Sequence, residues 1–160
     1  MGKVEGLAPI LVVEDNENDA KLIQRTLTNA CIPNPQRVLA SGEQAIDYLS
    51  GVGLYSDRKK NPLPALVLLD LNLQGIQGFE VLKWIRAHRR LKDLRVVVLT
   101  SSMHIRDVNE AYRLGANSFL VKPLEFNNLR ELFATIQWQL TETNAAPGPP
   151  PPRTATVDLD

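Results

Sequence analysis

Five short apolar runs alternate along the chain with five stretches whose apolar residues recur at helical spacing. The first run, Pro9-Ile10-Leu11-Val12-Val13, is continuous and rich in β-branched residues, the pattern of a strand buried on both faces. Asn16-Glu17-Asn18-Asp19 then offers cap residues and first-turn acids for a helix. Ala20, Ile23, Leu27 and Ala30 define its inner face, and Pro33 and Pro35 stop it. A weaker strand follows over residues 36–40, with Val38 and Leu39 as its apolar pair. Ser41-Gly42 opens a short helix through Ala45, Ile46 and Leu49, which Gly51 and Gly53 end. The polar stretch 51–64 reads as an exposed loop, long for a compact domain, with Arg58-Lys59-Lys60 as solvated surface.

The alternation continues. Residues 65–70 predict a third strand, and Gly75 and Gly78 mark the turn after it. Phe79, Val81, Leu82 and Ile85 build a helix ending in Arg86-Ala87-His88-Arg89-Arg90, cations that suit the negative end of a helix dipole. A fourth strand over 95–99 closes at Thr100-Ser101-Ser102. A helix over 105–114 stops at Gly115, and a fifth strand over 118–121 ends at Lys122-Pro123. The last helix, 125–140, carries the stripe Phe126, Leu129, Leu132, Phe133, Ile136 and Leu140. A βα unit repeated five times predicts an α/β domain over residues 8–140, a doubly wound five-stranded parallel sheet with helices on both faces. Residues 141–160, with Pro-Gly-Pro-Pro-Pro-Pro at their centre, have no apolar periodicity and read as a disordered tail.

Composition narrows the functional classes. The 160 residues are 44% apolar, enough for a core, and the formal net charge is zero. Without a basic surplus no nucleic-acid footprint is expected. A single cysteine, Cys31, excludes an internal disulfide and reads as a small buried hydrophobe. His88 and His104 read as surface residues. The first residues lack the apolar core of a signal peptide, and no run approaches the ~18 apolar residues of a membrane helix, so a soluble cytoplasmic protein is expected.

The strand ends carry the chemistry. The first strand ends in Glu14-Asp15, the third in Asp70, the fourth in Thr100 and the fifth in Lys122. In a parallel sheet all of these project at one edge, where ligands of open α/β sheets bind. Three carboxylates form an all-oxygen site suited to a hard divalent cation, with Mg²⁺ the usual cellular choice. Lys122 adds a point positive charge that pairs with phosphate, and Thr100 adds a hydroxyl. A metal, a lysine and a hydroxyl around one carboxylate make a site for phosphoryl transfer onto that carboxylate.

With these residues in place the chain resembles a response-regulator receiver domain of two-component signalling, a flavodoxin-like, CheY-like fold. The resemblance rests on Ile10-Leu11-Val12-Val13-Glu14-Asp15-Asn16, Leu68-Leu69-Asp70-Leu71-Asn72-Leu73 with Gly78, Val98-Leu99-Thr100-Ser101-Ser102, and the run from Gly115-Ala116-Asn117 through Lys122-Pro123. It implies that Asp70 accepts the phosphoryl group and that Glu14, Asp15, Asp70 and the Asn72 carbonyl bind Mg²⁺. It further implies that Thr100 is the switch hydroxyl, that Lys122 pairs with a phosphoryl oxygen, and that the Lys122–Pro123 bond is cis. Phe119 stands at the position of the switch aromatic, and Asn72 and Ser102 are placed to gate the water that removes the phosphoryl group. The chain departs from the commonest pattern in having Phe119 rather than tyrosine and Gln74 where a proline is usual; the latter loosens the expected turn rigidity, not the chemistry.

The long 51–64 loop and the Gly78-Phe79-Glu80-Val81-Leu82 helix start are similar to stand-alone regulators paired with bacteriophytochrome-type or hybrid histidine kinases. The resemblance implies a kinase partner, and a face of the fourth helix, fifth strand and fifth helix whose change alters partner binding or homodimer formation. Such a protein is not an enzyme beyond its own phosphotransfer and dephosphorylation. Three rivals remain. A haloacid-dehalogenase-type phosphatase needs an acid where Asn72 stands. A flavodoxin-like binding module needs a phosphate cradle where Glu14-Asp15-Asn16-Glu17-Asn18-Asp19 would repel one. The third is a degenerate receiver that acts only in protein interaction.

Overall fold

A computed structural model describes residues 7–101 and 104–141, with side chains described as far as residue 134. The elements run β1 (Ile10–Val13), α1 (Glu17–Asn29), β2 (Gln36–Leu39), α2 (Gly42–Ser50), β3 (Leu66–Asp70), α3 (Gly78–Ala87), β4 (Val96–Thr100), α4 (Ile105–Arg113), β5 (Ser118–Val121) and α5 (Phe126–Thr141). All strand pairs are parallel and the spatial order is β2-β1-β3-β4-β5. The predicted (βα)₅ doubly wound sheet is therefore the observed fold. The strand order reverses between β1 and β3, which opens a crevice at their carboxyl ends. None of the described helices is long and apolar enough to cross a membrane.

Strand periodicity divides the core in two, because successive side chains point to opposite faces. Leu11, Val13, Val67, Leu69, Val96 and Val98 face α2, α3 and α4, meeting Ala45, Leu49, Leu82, Ile85 and Val108. Ile10, Val12, Leu66, Leu68, Val97 and Leu99 face α1 and α5, meeting Ile23, Leu27, Leu129 and Phe133. The β1, β3 and β4 chains are buried throughout, which explains their unbroken apolar runs. Each such Leu, Ile or Val contributes roughly 1.5–3 kcal/mol. The β2 pattern is weaker because it is an edge strand, where Val38 is exposed.

Local signals set the helix starts. Asn16 caps α1 by accepting from the Asp19 N–H, and Ser41 caps α2 by accepting from Gln44 N–H. At the start of α3 the Glu80 side chain reaches back to accept from the Gln77 N–H at 3.0 Å.

Four expectations need correction. The 51–64 loop is largely exposed, as expected, but it is tied down rather than loose, and Arg58 is not a solvated cation. It contains a 3₁₀ turn at Gly53–Tyr55. Arg58 donates to the carbonyls of Tyr48 (2.6 Å), Leu49 (2.7 Å) and Asn61 (3.0 Å), satisfying the carbonyl end of α2. Arg37 donates to Asn61 Oδ1 (2.7 Å) and to the Lys60 carbonyl. The Tyr48 side chain is fully buried, and both guanidiniums lie over its ring, 5.8 and 5.9 Å from the centroid. Only Lys59 and Lys60 of the basic triplet fit the solvated reading.

Cys31 is exposed rather than buried, with a left-handed φ of 59°. It occupies the position after the α1 cap, where Cys31 N–H bonds Thr28 O and Ile32 N–H bonds Leu27 O, closing the helix as a Schellman turn. His88 is half-buried, its ring 5.1 Å from Trp84, whereas His104 is exposed as expected. Within the α5 stripe Leu129 and Phe133 are buried, but Phe126 is exposed beneath the Arg130 guanidinium. The side chains of Ile136 and Leu140, and the tail from residue 142, lie outside the described residues.

Candidate functional site

Strand register brings the chemistry to one edge. Val13 pairs with Leu69, so Glu14 stands level with Asp70; Asp70 pairs with Leu99, and Thr100 with Val121. Glu14, Asp70 and Thr100 are each 2% exposed, anchored by strands whose apolar side chains cannot move without opening the core. Lys122 follows β5 directly, its N–H bonding Thr100 O at 2.8 Å, and the Lys122–Pro123 peptide bond is cis.

The Lys122 ammonium organises the acids. Its Nζ lies 2.7 Å from Glu14 Oε1, 3.0 Å from Asp19 Oδ2 and 3.2 Å from Asp70 Oδ2. Asn72 N–H donates to Asp70 Oδ1 at 3.0 Å, so both Asp70 oxygens are held. Asn16 N–H donates to Glu14 Oε2 at 3.1 Å. Asp15 Oδ2 accepts from Gln74 N–H at 2.9 Å. One carboxylate oxygen from each of Glu14, Asp15 and Asp70 lies within 4.8 Å of the others.

Three carboxylates around one ammonium, with Asp15 beside them, leave excess negative charge. Burial, helped by the neighbouring Asp70, pushes the Glu14 carboxyl up to about 7 despite its hydrogen bonds from Lys122 and Asn16. Burial alone would lower the Lys122 ammonium, but its hydrogen bonds to Glu14 and Asp19 and the Asp70 charge outweigh this and raise it. An all-oxygen donor set with surplus negative charge fits a hard divalent cation such as Mg²⁺.

The turn after β3 leaves no space for a side chain at Gly78. A Cβ there would overlap the Asp70 carbonyl oxygen and lie 2.7 Å from Leu71 Cα. Glycine at this position therefore lets α3 start directly against the backbone of Asp70. Phe119 is 9% exposed and packs edge-on to Tyr112, with ring centroids 6.1 Å apart. The ring thus already points into the core beside α4. Ser102 lies outside the described residues.

Thus Glu14, Asp15, Asp70, Thr100 and Lys122 converge as their positions after strands predict. Sequence reasoning missed Asp19 and Gln74. Asp19 read as a first-turn acid of α1, and only tertiary folding brings Lys122 to it. Gln74 acts through its backbone N–H, which no side-chain motif records. Beside Lys122 opens a pocket of about 270 Å³ lined by Asp19, Leu22, Ile23, Ser101, Pro123 and Leu124.

Comparison with known proteins agrees with this geometry. The sequence profile of the response regulator receiver domain matches residues 10–134. A probable methanogenesis regulatory protein, FilR2 of Methanothrix harundinacea, is 39% identical over 140 residues, 88% of each chain. Response regulator Rcp1 of Synechocystis is 39% identical over 128 residues, 80% of this chain and 83% of its own. The Mn²⁺-bound structure of Rcp1 superposes with a TM-score of 0.69 at 35% identity, covering 88% of this chain and 99% of that one. The bacteriophytochrome response regulator RtBRR superposes with a TM-score of 0.74 at 37% identity, covering 94% of this chain and 88% of that one. A parallel sheet in the order 2-1-3-4-5, an acid cluster with a lysine at its carboxyl edge, and a matching profile over most of the chain lead to one assignment: the chain belongs to the response regulator receiver domain family of two-component phosphorelay signalling.

Proposed function

We propose that Asp70 is the phosphoacceptor of this receiver and that its donor is the phosphohistidine of a cytoplasmic sensor histidine kinase. The observation that carries the reading is the Asp70 carboxylate itself: 2% exposed, level with Glu14, and held between Asn72 N–H and Lys122 Nζ. Glu14, Asp15, Asp70 and the Asn72 carbonyl are the groups that would hold Mg²⁺. When bound, the ion supplies positive charge to neutralise phosphoryl oxygens as they approach the acids.

An Asp70 oxygen attacks phosphorus in line. The P–N bond to the donor imidazole breaks, and its electron pair returns to the ring nitrogen, which takes a proton from solvent. Lys122 exchanges its bond to Asp70 Oδ2 for one to a phosphoryl oxygen, and the Thr100 hydroxyl turns toward another. Because Phe119 is already packed on Tyr112, little further burial is available to its ring. We therefore assign the first movement to Thr100 and the backbone after β4, with Phe119 following and altering the α4–β5–α5 face. That face is our candidate for a homodimer contact. Asn72 and Ser102 gate the water that later cleaves the acyl phosphate. The likeness to the bacteriophytochrome response regulator RtBRR favours a phytochrome-type kinase as partner.

Acetyl phosphate with Mg²⁺ tests the assignment. Wild-type protein is expected to take up the phosphoryl group, while Asp70→Asn, or wild type in EDTA, takes up none. Uptake by Asp70→Asn at the wild-type rate would overturn it. A dehalogenase-type phosphatase, with Asn72 in place of its general acid, would instead turn over simple phosphomonoesters.

A further inference from the structure

The turn between β3 and α3 is held at successive points. Leu71 N–H bonds Leu99 O at 2.9 Å, and Gly78 N–H bonds Leu71 O at 3.2 Å. Leu71 and Leu73 are 4% and 2% exposed. Glu43 Oε2 accepts from Ile76 N–H at 3.4 Å, and its carboxylate fills the space where a Cβ on Gly75 would stand. Gln74 therefore sits between a buried leucine and a glycine backed by Glu43, and its exposed side chain makes no hydrogen bond recorded among the described residues. Its backbone N–H meets Asp15 Oδ2 at 2.9 Å, joining the β3–α3 turn to the β1–α1 loop across the crevice. Proline, usual at this position, has no N–H and makes no such bond.

We propose that the Gln74 backbone N–H is a positioning group for the cation site, fixing the Asp15 carboxylate before the ion arrives. Asp15 follows the last buried residue of the strand end, on a loop where its side chain would otherwise rotate. Holding one oxygen leaves the second for the ion and removes that rotational freedom from the binding step. Mg²⁺ demands near-ideal octahedral geometry, whereas Ca²⁺ accepts six to eight ligands in flexible arrangements. A fixed carboxylate therefore favours Mg²⁺ more than Ca²⁺. This inference rests on the cation site proposed above.

Calorimetric titration of Mg²⁺ and Ca²⁺ into wild type, Gln74→Pro and Gln74→Ala tests it. Gln74→Pro removes the N–H and is expected to weaken Mg²⁺ binding by about tenfold, the scale at which partners of metal ligands act. Ca²⁺ binding should fall by less, and Gln74→Ala, which keeps the N–H, should bind both ions as wild type does. Unchanged Mg²⁺ affinity in Gln74→Pro, or equal losses in both variants, overturns the inference while leaving the cation site intact. A wild type that binds neither ion overturns the site and the inference together. Should Gln74→Pro fail to fold, amide exchange decides: the Gln74 N–H should exchange more slowly in wild type than in Asp15→Ala, and equal rates overturn the proposal.

Discussion

At Glu14, burial and a neighbouring carboxylate push in the same direction. With its carboxyl raised to about 7, the folded protein holds a proton that the unfolded chain releases near 4.5. Between these values the native state binds more protons than the unfolded state, so stability from this group falls as pH rises through the window. In EDTA, Glu14→Gln is therefore expected to gain stability relative to wild type as pH goes from about 5 to about 8. Urea midpoints for the two proteins at each pH check this; a constant difference would contradict it. The residue scale also shows what the sequence could and could not reveal. Glu14, Asp70, Thr100 and Lys122 were legible because each follows a short apolar run, and a parallel sheet must place such positions at one edge. Asp19 was not, since its role depends on a lysine that arrives from the far end of the sheet.

The strands and helices were legible from periodicity, because the two-sided burial of β1, β3 and β4 demands unbroken apolar runs. Connections held by side chains bonding to carbonyls were not. Arg86 shows why. It lies in a run of cations that reads as dipole compensation, yet its guanidinium donates to Gly115 O (2.9 Å), Lys92 O (3.0 Å), Leu94 O (2.6 Å) and Asn117 Oδ1 (2.9 Å). Asn117 Oδ1 also accepts from Val96 N–H at 2.7 Å. One side chain thus joins the end of α3 to the start of β4 and to the turn before β5. Arg86→Met would leave several of these carbonyls without partners, at a cost of roughly 2–3 kcal/mol. Urea denaturation measures that loss. Arg89→Met, on the exposed part of the same run, is expected to change stability by less than about 0.5 kcal/mol.

Across the whole molecule, the acids sit on strands buried in both cores, so their mutual repulsion acts against the fold itself. A cation that neutralises them binds the native state and not the unfolded chain. At a hundred times its dissociation constant, Mg²⁺ is expected to add about 2.7 kcal/mol of stability. Scanning calorimetry should show a higher midpoint with Mg²⁺ in wild type and no shift in Asp15→Ala. Gly78 carries the same dependence of chemistry on architecture into heredity. It has no side chain and takes part in no proposed step, yet the carbonyl of Asp70, the proposed phosphoacceptor, occupies the place where any other residue would begin. A library of all twenty amino acids at position 78, selected for signalling, should return glycine alone, and the codon would be scored as active-site although nothing there ever touches phosphate.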